Sequence, residues 1–237
     1  MKLSRDFTNK INWILDNLIP PSVRDSKLIM APLFKMLFGK KAKLFLDFKE
    51  NAWQFDADQM SNYYEELADV HIQRETDLNT KSINYILNNL KGENILDIAC
   101  GRGYLAKLIQ KEGNYKVTGI DFIIPECLKD ITNLKFENGV VENIKYPDNY
   151  FDTVISTHTL EHVLDLKQCI KELRRVCSKR LIVVLPKQRP YRFTFDLHLH
   201  FFPYKFSVLQ VFNNNNNNNN KGKCIQLDND WLYIENL

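Results

Sequence analysis

Three groups of residues carry chemistry by their type and spacing. The first is Asp97, Gly101, Gly103 and Asp121. Asp97 lies inside the apolar run Asn94-Ile95-Leu96-Asp97-Ile98, which passes through Ala99 and Cys100 into Gly101-Arg102-Gly103 and then opens a helix. Gly101 and Gly103 lack a Cβ, so the chain turns tightly there and brings backbone N–H groups toward a ligand at the positive end of that helix. Eighteen residues after Gly103, a second apolar run delivers Asp121, a carboxylate placed to grip a pair of ribose hydroxyls. Gly101-x-Gly103-x-x-Ala106 also satisfies the dinucleotide pattern, so a nicotinamide cofactor stays open. Asp97 weighs against it. A pyrophosphate needs donors only, whereas an amino-acid-bearing cofactor brings an ammonium that wants an acceptor and a carboxylate that wants N–H groups.

The second group is His158, Glu161 and His162, which one helical turn places on one side as a candidate base cluster. A plainer role for Glu161 and His162 is to order the loop that holds them. The third group is Arg189, Arg192, His198 and His200. If this segment is extended, Asp196, His198 and His200 share one face at period two. Arginines beside histidines suit an anionic or hydroxyl-rich acceptor.

Downstream of the glycine turn, Val140-Val141-Glu142-Asn143-Ile144 and Phe151-Asp152-Thr153-Val154-Ile155 follow in order, then Leu160-Glu161-His162-Val163, Glu172-Leu173-Arg174-Arg175-Val176 and Leu181 to Pro186. With Asp97 to Gly103, these stretches resemble the class I S-adenosylmethionine-dependent methyltransferases over roughly residues 80 to 237. The resemblance implies that Asp97 receives the cofactor ammonium and Asp121 the ribose, with adenine on Phe122 and against the Val141 backbone and Glu142. Ala99 stands where that family usually has glycine, and Val140 where it has an acid; the alanine narrows the space for the methionine tail. Arg74 is the candidate for the cofactor carboxylate, near Tyr63, Tyr64 and His71. In one branch, the O-methyltransferases of quinone biosynthesis, an acid stands at the position of His158 and the trio holds a divalent metal. Hard cations prefer oxygen ligands, so the histidine here argues against a metal. In the family, residues 187 to 203 overhang the acceptor pocket.

Around these residues the spacing predicts helices near 6–18, over a second apolar segment to Phe38, and at 58–67. From Ile95 strands alternate with helices: strands at 116–121, 134–137, 151–156 and 181–185, helices at 105–111, 126–130 and 165–177. Asp228-Asn229-Asp230 turns a terminal hairpin. This gives an α/β, Rossmann-like doubly wound sheet of seven strands, mostly parallel, with an antiparallel C-terminal hairpin. Residues 1–80 read as a helical cap and 81–237 as the methyltransferase domain. The asparagines of 213–220 read as a disordered loop. Trp13, Trp53 and Trp231 are expected to pack rather than to stack on a ligand.

Five scattered cysteines without a C-x-x-C pair, and no signal-peptide pattern, point to a cytoplasmic protein. Residues 1 to 45 hold nine Lys or Arg against three Asp or Glu, while the rest of the chain is net negative. That basic, apolar lead admits peripheral membrane contact, although a cap with solvated lysines is the plainer reading. No basic and aromatic stripe reaches into the body of the chain, so no nucleic acid is expected. The expected activity is methyl transfer, most simply to oxygen of a small polar or glycan-type acceptor. A lipophilic quinone-type acceptor, an NAD-dependent oxidoreductase and a non-catalytic cofactor-binding module are the alternatives.

Overall fold

The computed structural model describes residues 13–67, 75–128, 134–193, 196–213 and 222–237. The chain divides into two compact units, Met1–Arg74 with Gln188–Phe201, and Glu75–Lys187 with Phe202–Leu237. The expected single boundary near residue 80 therefore becomes a division in which 188–201 joins the N-terminal part.

The second unit is built on a seven-stranded sheet. Its strands are β1 (Asn94–Ile98), β2 (Lys116–Asp121), β3 (Leu134–Asn138), β4 (Phe151–Thr157), β5 (Cys177–Pro186), β6 (Lys223–Leu227) and β7 (Asp230–Asn236). Their order is β3-β2-β1-β4-β5-β7-β6, with β7 antiparallel to both its neighbours and all other pairings parallel. Strand alternation produces the two cores. Leu96, Ile98, Val154, Leu181 and Val183 pack one face with Ile170 and Leu173, while Ile95, Val117, Ile155, Ile182 and Val184 pack the other with Ile86, Leu105 and Ile109. The expected seven strands, mostly parallel with an antiparallel terminal pair, are all present.

In the first unit, helices α1 (Pro21–Arg24), α2 (Lys27–Phe38), α3 (Ala42–Asn51) and α4 (Ala57–Leu67) follow a helical stretch over 13–17. In the second, α5 (Thr80–Leu87), α6 (Tyr104–Glu112), α7 (Leu166–Val176) and α8 (Lys205–Asn213) flank the sheet. Helix α3 was not anticipated, since the sequence reading followed the apolar segment only to Phe38. Asn213, expected to open the loop of 213–220, instead closes α8, and residues 214–220 lie outside the described residues. Trp231 is buried and donates from Nε1 to the Phe202 carbonyl at 2.8 Å, as a packing residue should. Trp13 and Trp53 are instead 57% exposed each, which corrects the expectation that they pack.

Candidate functional site

In a sheet ordered 3-2-1-4-5, the chain leaves β1 and β4 in opposite directions, and ligands settle at the carboxyl ends of those strands. The turn after β1 lies there. Its N–H groups are partly used within the fold: Gly101 donates to Asp121 Oδ2 at 2.7 Å, and Gly103 donates to the Cys100 carbonyl at 2.9 Å. The expectation that both serve a ligand carboxylate is thus modified, because they first close the turn and tie it to β2. Both glycines have left-handed backbones, at φ +54° and +66°. A Cβ at Gly103 would meet the Phe136 ring at 2.7 Å, whereas one at Gly101 would meet nothing within 4 Å. The fold requires a glycine at Gly103 for packing, and Gly101 leaves an open cradle.

Asp97 is the unusual group of this turn. It is 1% exposed, and among the described residues neither carboxylate oxygen has a partner at hydrogen-bonding geometry. Burial pushes it up to about 7; the Ala106 N–H of α6 draws it down, and the charge of Asp121 raises it further. Asp121 is itself raised, chiefly by burial, against three N–H groups that favour its charge. A buried carboxylate without a partner is costly unless a cation meets it, and an ammonium is the partner its acceptor atoms fit. Ala99, between Asp97 and the turn, is held at φ +56°, a conformation that costs a residue with a Cβ about 1 to 2 kcal/mol.

Phe122 follows β2 with its ring 42% exposed, and its carbonyl accepts from Asn138 Nδ2 at 2.6 Å. Val141 is buried and the Glu142 carbonyl accepts from Gln168 at 3.1 Å, which fixes the loop to α7. Arg74 and His71 lie outside the described residues, as does the side chain of Tyr64.

Beyond β4, the structure brings His158 and Glu161 together and adds a residue that sequence reasoning missed. His158 Nδ1 lies 3.5 Å from Glu161 Oε1, and its Nε2 lies 3.6 Å from Asp230 Oδ1. Asp230 opens β7 and pairs in register with Pro186, so the antiparallel strand starts at the sheet edge where the parallel strands end. Asn79, the N-cap of α5, donates to Asp230 Oδ2 at 2.7 Å. The only sequence signal for Asp230 was an acid just ahead of an apolar run, and it read as turn composition. Burial alone would lower the imidazole, but the two carboxylates more than offset it and push His158 up to about 10. The two carboxylates thus favour the imidazolium form of His158. His162 Nε2 lies 3.9 Å from Glu161 Oε1, and Glu161 is fully buried.

The third group belongs to the first unit, and it is not extended. Leu197 is left-handed at φ +54°, and Leu197 and His198 are both buried, so the expected period-two face does not form. Arg189 Nη1 donates to the Asp16 carbonyl at 3.2 Å, Arg192 pairs with Glu50 at 2.7 Å, His198 meets Gln188, and His200 lies edge-on to Trp53 at 6.2 Å.

Residues 96–185 match the family described as a methyltransferase domain. The chain is 30% identical over 105 residues to ajmaline N-methyltransferase of Rauvolfia serpentina, covering 40% of this chain and 36% of that protein. It is 30% identical over 104 residues to the mitochondrial ubiquinone biosynthesis O-methyltransferase of Dictyostelium discoideum, covering 37% and 32%. The chain thus spans about a third of the length of these curated relatives. An S-adenosylmethionine-dependent methyltransferase from Aquifex aeolicus shares the fold, with a TM-score of 0.52 at 14% identity over 77% of this chain and 98% of that one.

Proposed function

We propose that residues 96–185, which match a family described as a methyltransferase domain, form a class I S-adenosylmethionine-dependent methyltransferase domain, and that the chain methylates a small-molecule acceptor. The observation that carries the reading is the orphaned carboxylate of Asp97 beside the open cradle at Gly101. Bound there, the cofactor supplies an electrophilic methyl group on a sulfonium. Asp97 receives its ammonium, Asp121 its ribose, and Phe122 with Val141 and Glu142 its adenine. Transfer neutralises charge, so the protein contributes alignment and exclusion of water more than oxyanion stabilisation. A hydroxyl acceptor also needs a base, and with His158 protonated that role passes to Glu161 or His162.

For the acceptor, the polar or glycan reading rests on Arg189, Arg192, His198 and His200. Each of these is engaged within its own unit, by Asp16, Glu50, Gln188 and Trp53. That favours the second reading, a lipophilic ring of the quinone type, in keeping with the name of the Dictyostelium relative. The test is calorimetric titration with S-adenosylmethionine, its demethylated product and NADH, on wild type and Asp97→Ala, followed by methyl-transfer assays with quinone precursors and nucleotide sugars. Micromolar binding of the first two, weakened at least tenfold by the substitution, is expected. Binding of NADH alone would overturn the cofactor, turnover of sugars alone would restore the polar acceptor, and binding without any turnover would leave a non-catalytic module.

A further inference from the structure

Helix α2 is apolar on both sides. Met30 and Phe34 are buried, and Phe34 packs beside Phe45 of α3 at 6.2 Å. On the opposite side Leu28 is 89% exposed and Met36 76%, at i and i+8, with the exposed Pro32 between them and Ile29 and Leu37 alongside. An exposed apolar stripe on a helix that already buries Met30 and Phe34 on another side is normally covered by protein or lipid. Its 12 residues span about 18 Å, well short of the ~30 Å hydrocarbon layer. Among the described residues, no helix is long and apolar enough to cross a membrane.

Next to this stripe, an open groove of about 720 Å³ lies between α2 and α3. Ala31 and Ala42 line it with small side chains, and Lys27, Lys35, Lys40 and Lys43 surround it. Lys27 is paired with Asp47 at 3.4 Å. Lys35, Lys40 and Lys43 are exposed and have no carboxylate partner among the described residues. Three uncompensated ammonium groups around a pocket, beside a stripe of exposed apolar side chains, are complementary to a surface that is anionic outside and hydrocarbon within.

We propose that the α2–α3 hairpin is a peripheral docking site for an anionic membrane surface, with a lipid phosphate in the lysine groove and Leu28 and Met36 inserted among the acyl chains. This inference is independent of methyl transfer, and its test uses the full chain without cofactor. Sedimentation is compared on vesicles of phosphatidylcholine alone and of phosphatidylcholine with phosphatidylglycerol. The wild type should pellet with the anionic vesicles only, and release as salt rises toward about 0.5 M. Neutralising Lys35, Lys40 and Lys43 to Gln should lower the partition coefficient about 100-fold. Leu28→Asp with Met36→Asp should abolish binding, while melting temperatures show both variants to be folded. Failure to pellet overturns the proposal, as does equal binding to neutral vesicles or indifference to both sets of substitutions. Calorimetric binding of soluble glycerophosphate as strong as that of vesicles would make the groove a solute site, and would also overturn it.

Discussion

At the scale of single residues, the turn after β1 holds two costs that a ligand or a substitution can relieve. The first is Asp97. Its folded-state pKa is raised from the ordinary carboxylate range to about 7, so between those values the folded protein holds a proton that the unfolded chain has lost. Stability of the free protein should fall by about 1.4 kcal/mol per pH unit across that window as pH rises, and Asp97→Asn should remove the slope. The same substitution should raise the melting temperature at pH 8 while weakening S-adenosylmethionine at least tenfold, as a calorimetric titration beside a thermal melt will show. The second cost is Ala99. Ala99→Gly should stabilise by about 0.5 kcal/mol, the left-handed penalty less the extra freedom glycine gives the unfolded chain, measured by urea denaturation. The sequence disclosed that Ala99 stands at a place where glycine is usual, but not its backbone angle, which depends on how β1 meets α6. His158 was legible as a polar group near the site, but its second carboxylate was not, because Asp230 is distant in the chain. NMR should find its imidazole protonated through neutral pH in wild type and returned toward the ordinary value in Asp230→Asn. Because the folded pKa is raised, the stability it confers is complete below about 6.5 and disappears as pH climbs through about 10.

At the scale of elements, the parallel strands were legible because period-two runs such as Leu181 to Leu185 alternate between two buried faces, and each is bounded by turn residues. Helix α3 was less legible, since its apolar positions Phe45, Leu46 and Phe48 are interspersed with Lys43, Asp47 and Lys49. What secures α7 against the terminal strand was not legible at all. Arg174 donates to Glu235 from Nε at 2.6 Å and from Nη2 at 2.9 Å, and also to the Phe212 carbonyl at 2.8 Å, while the Tyr233 hydroxyl donates to Glu235 at 2.6 Å. Glu235 is buried, so removing one partner strands a charge. Arg174→Ala should cost about 3 kcal/mol in urea unfolding, and the double change to apolar residues of similar volume should cost much less.

At the scale of the whole molecule, the chain divides into two compact units, each carrying at least one tryptophan. Trp13 and Trp53 belong to the first unit and Trp231 to the second. Unfolding followed by fluorescence of variants that retain only Trp53 or only Trp231 should therefore give two midpoints, where a single cooperative core would give one. The charge division at residue 45 was visible in the sequence. The inclusion of 188–201 in the first unit was not, because it rests on long-range contacts such as the Arg24 guanidinium donating to the Pro190 carbonyl at 3.0 Å.

Strand β7 has a further implication for how the protein is made. The five parallel strands from β1 to β5 are complete once Pro186 has been synthesised, yet the acid that faces His158 arrives only with Asp230. A chain that stopped short of Asp230 would hold the turn after β1 and would leave His158 with Glu161 but without its second carboxylate. The polar centre around His158 is therefore complete only when the C-terminal hairpin is in place.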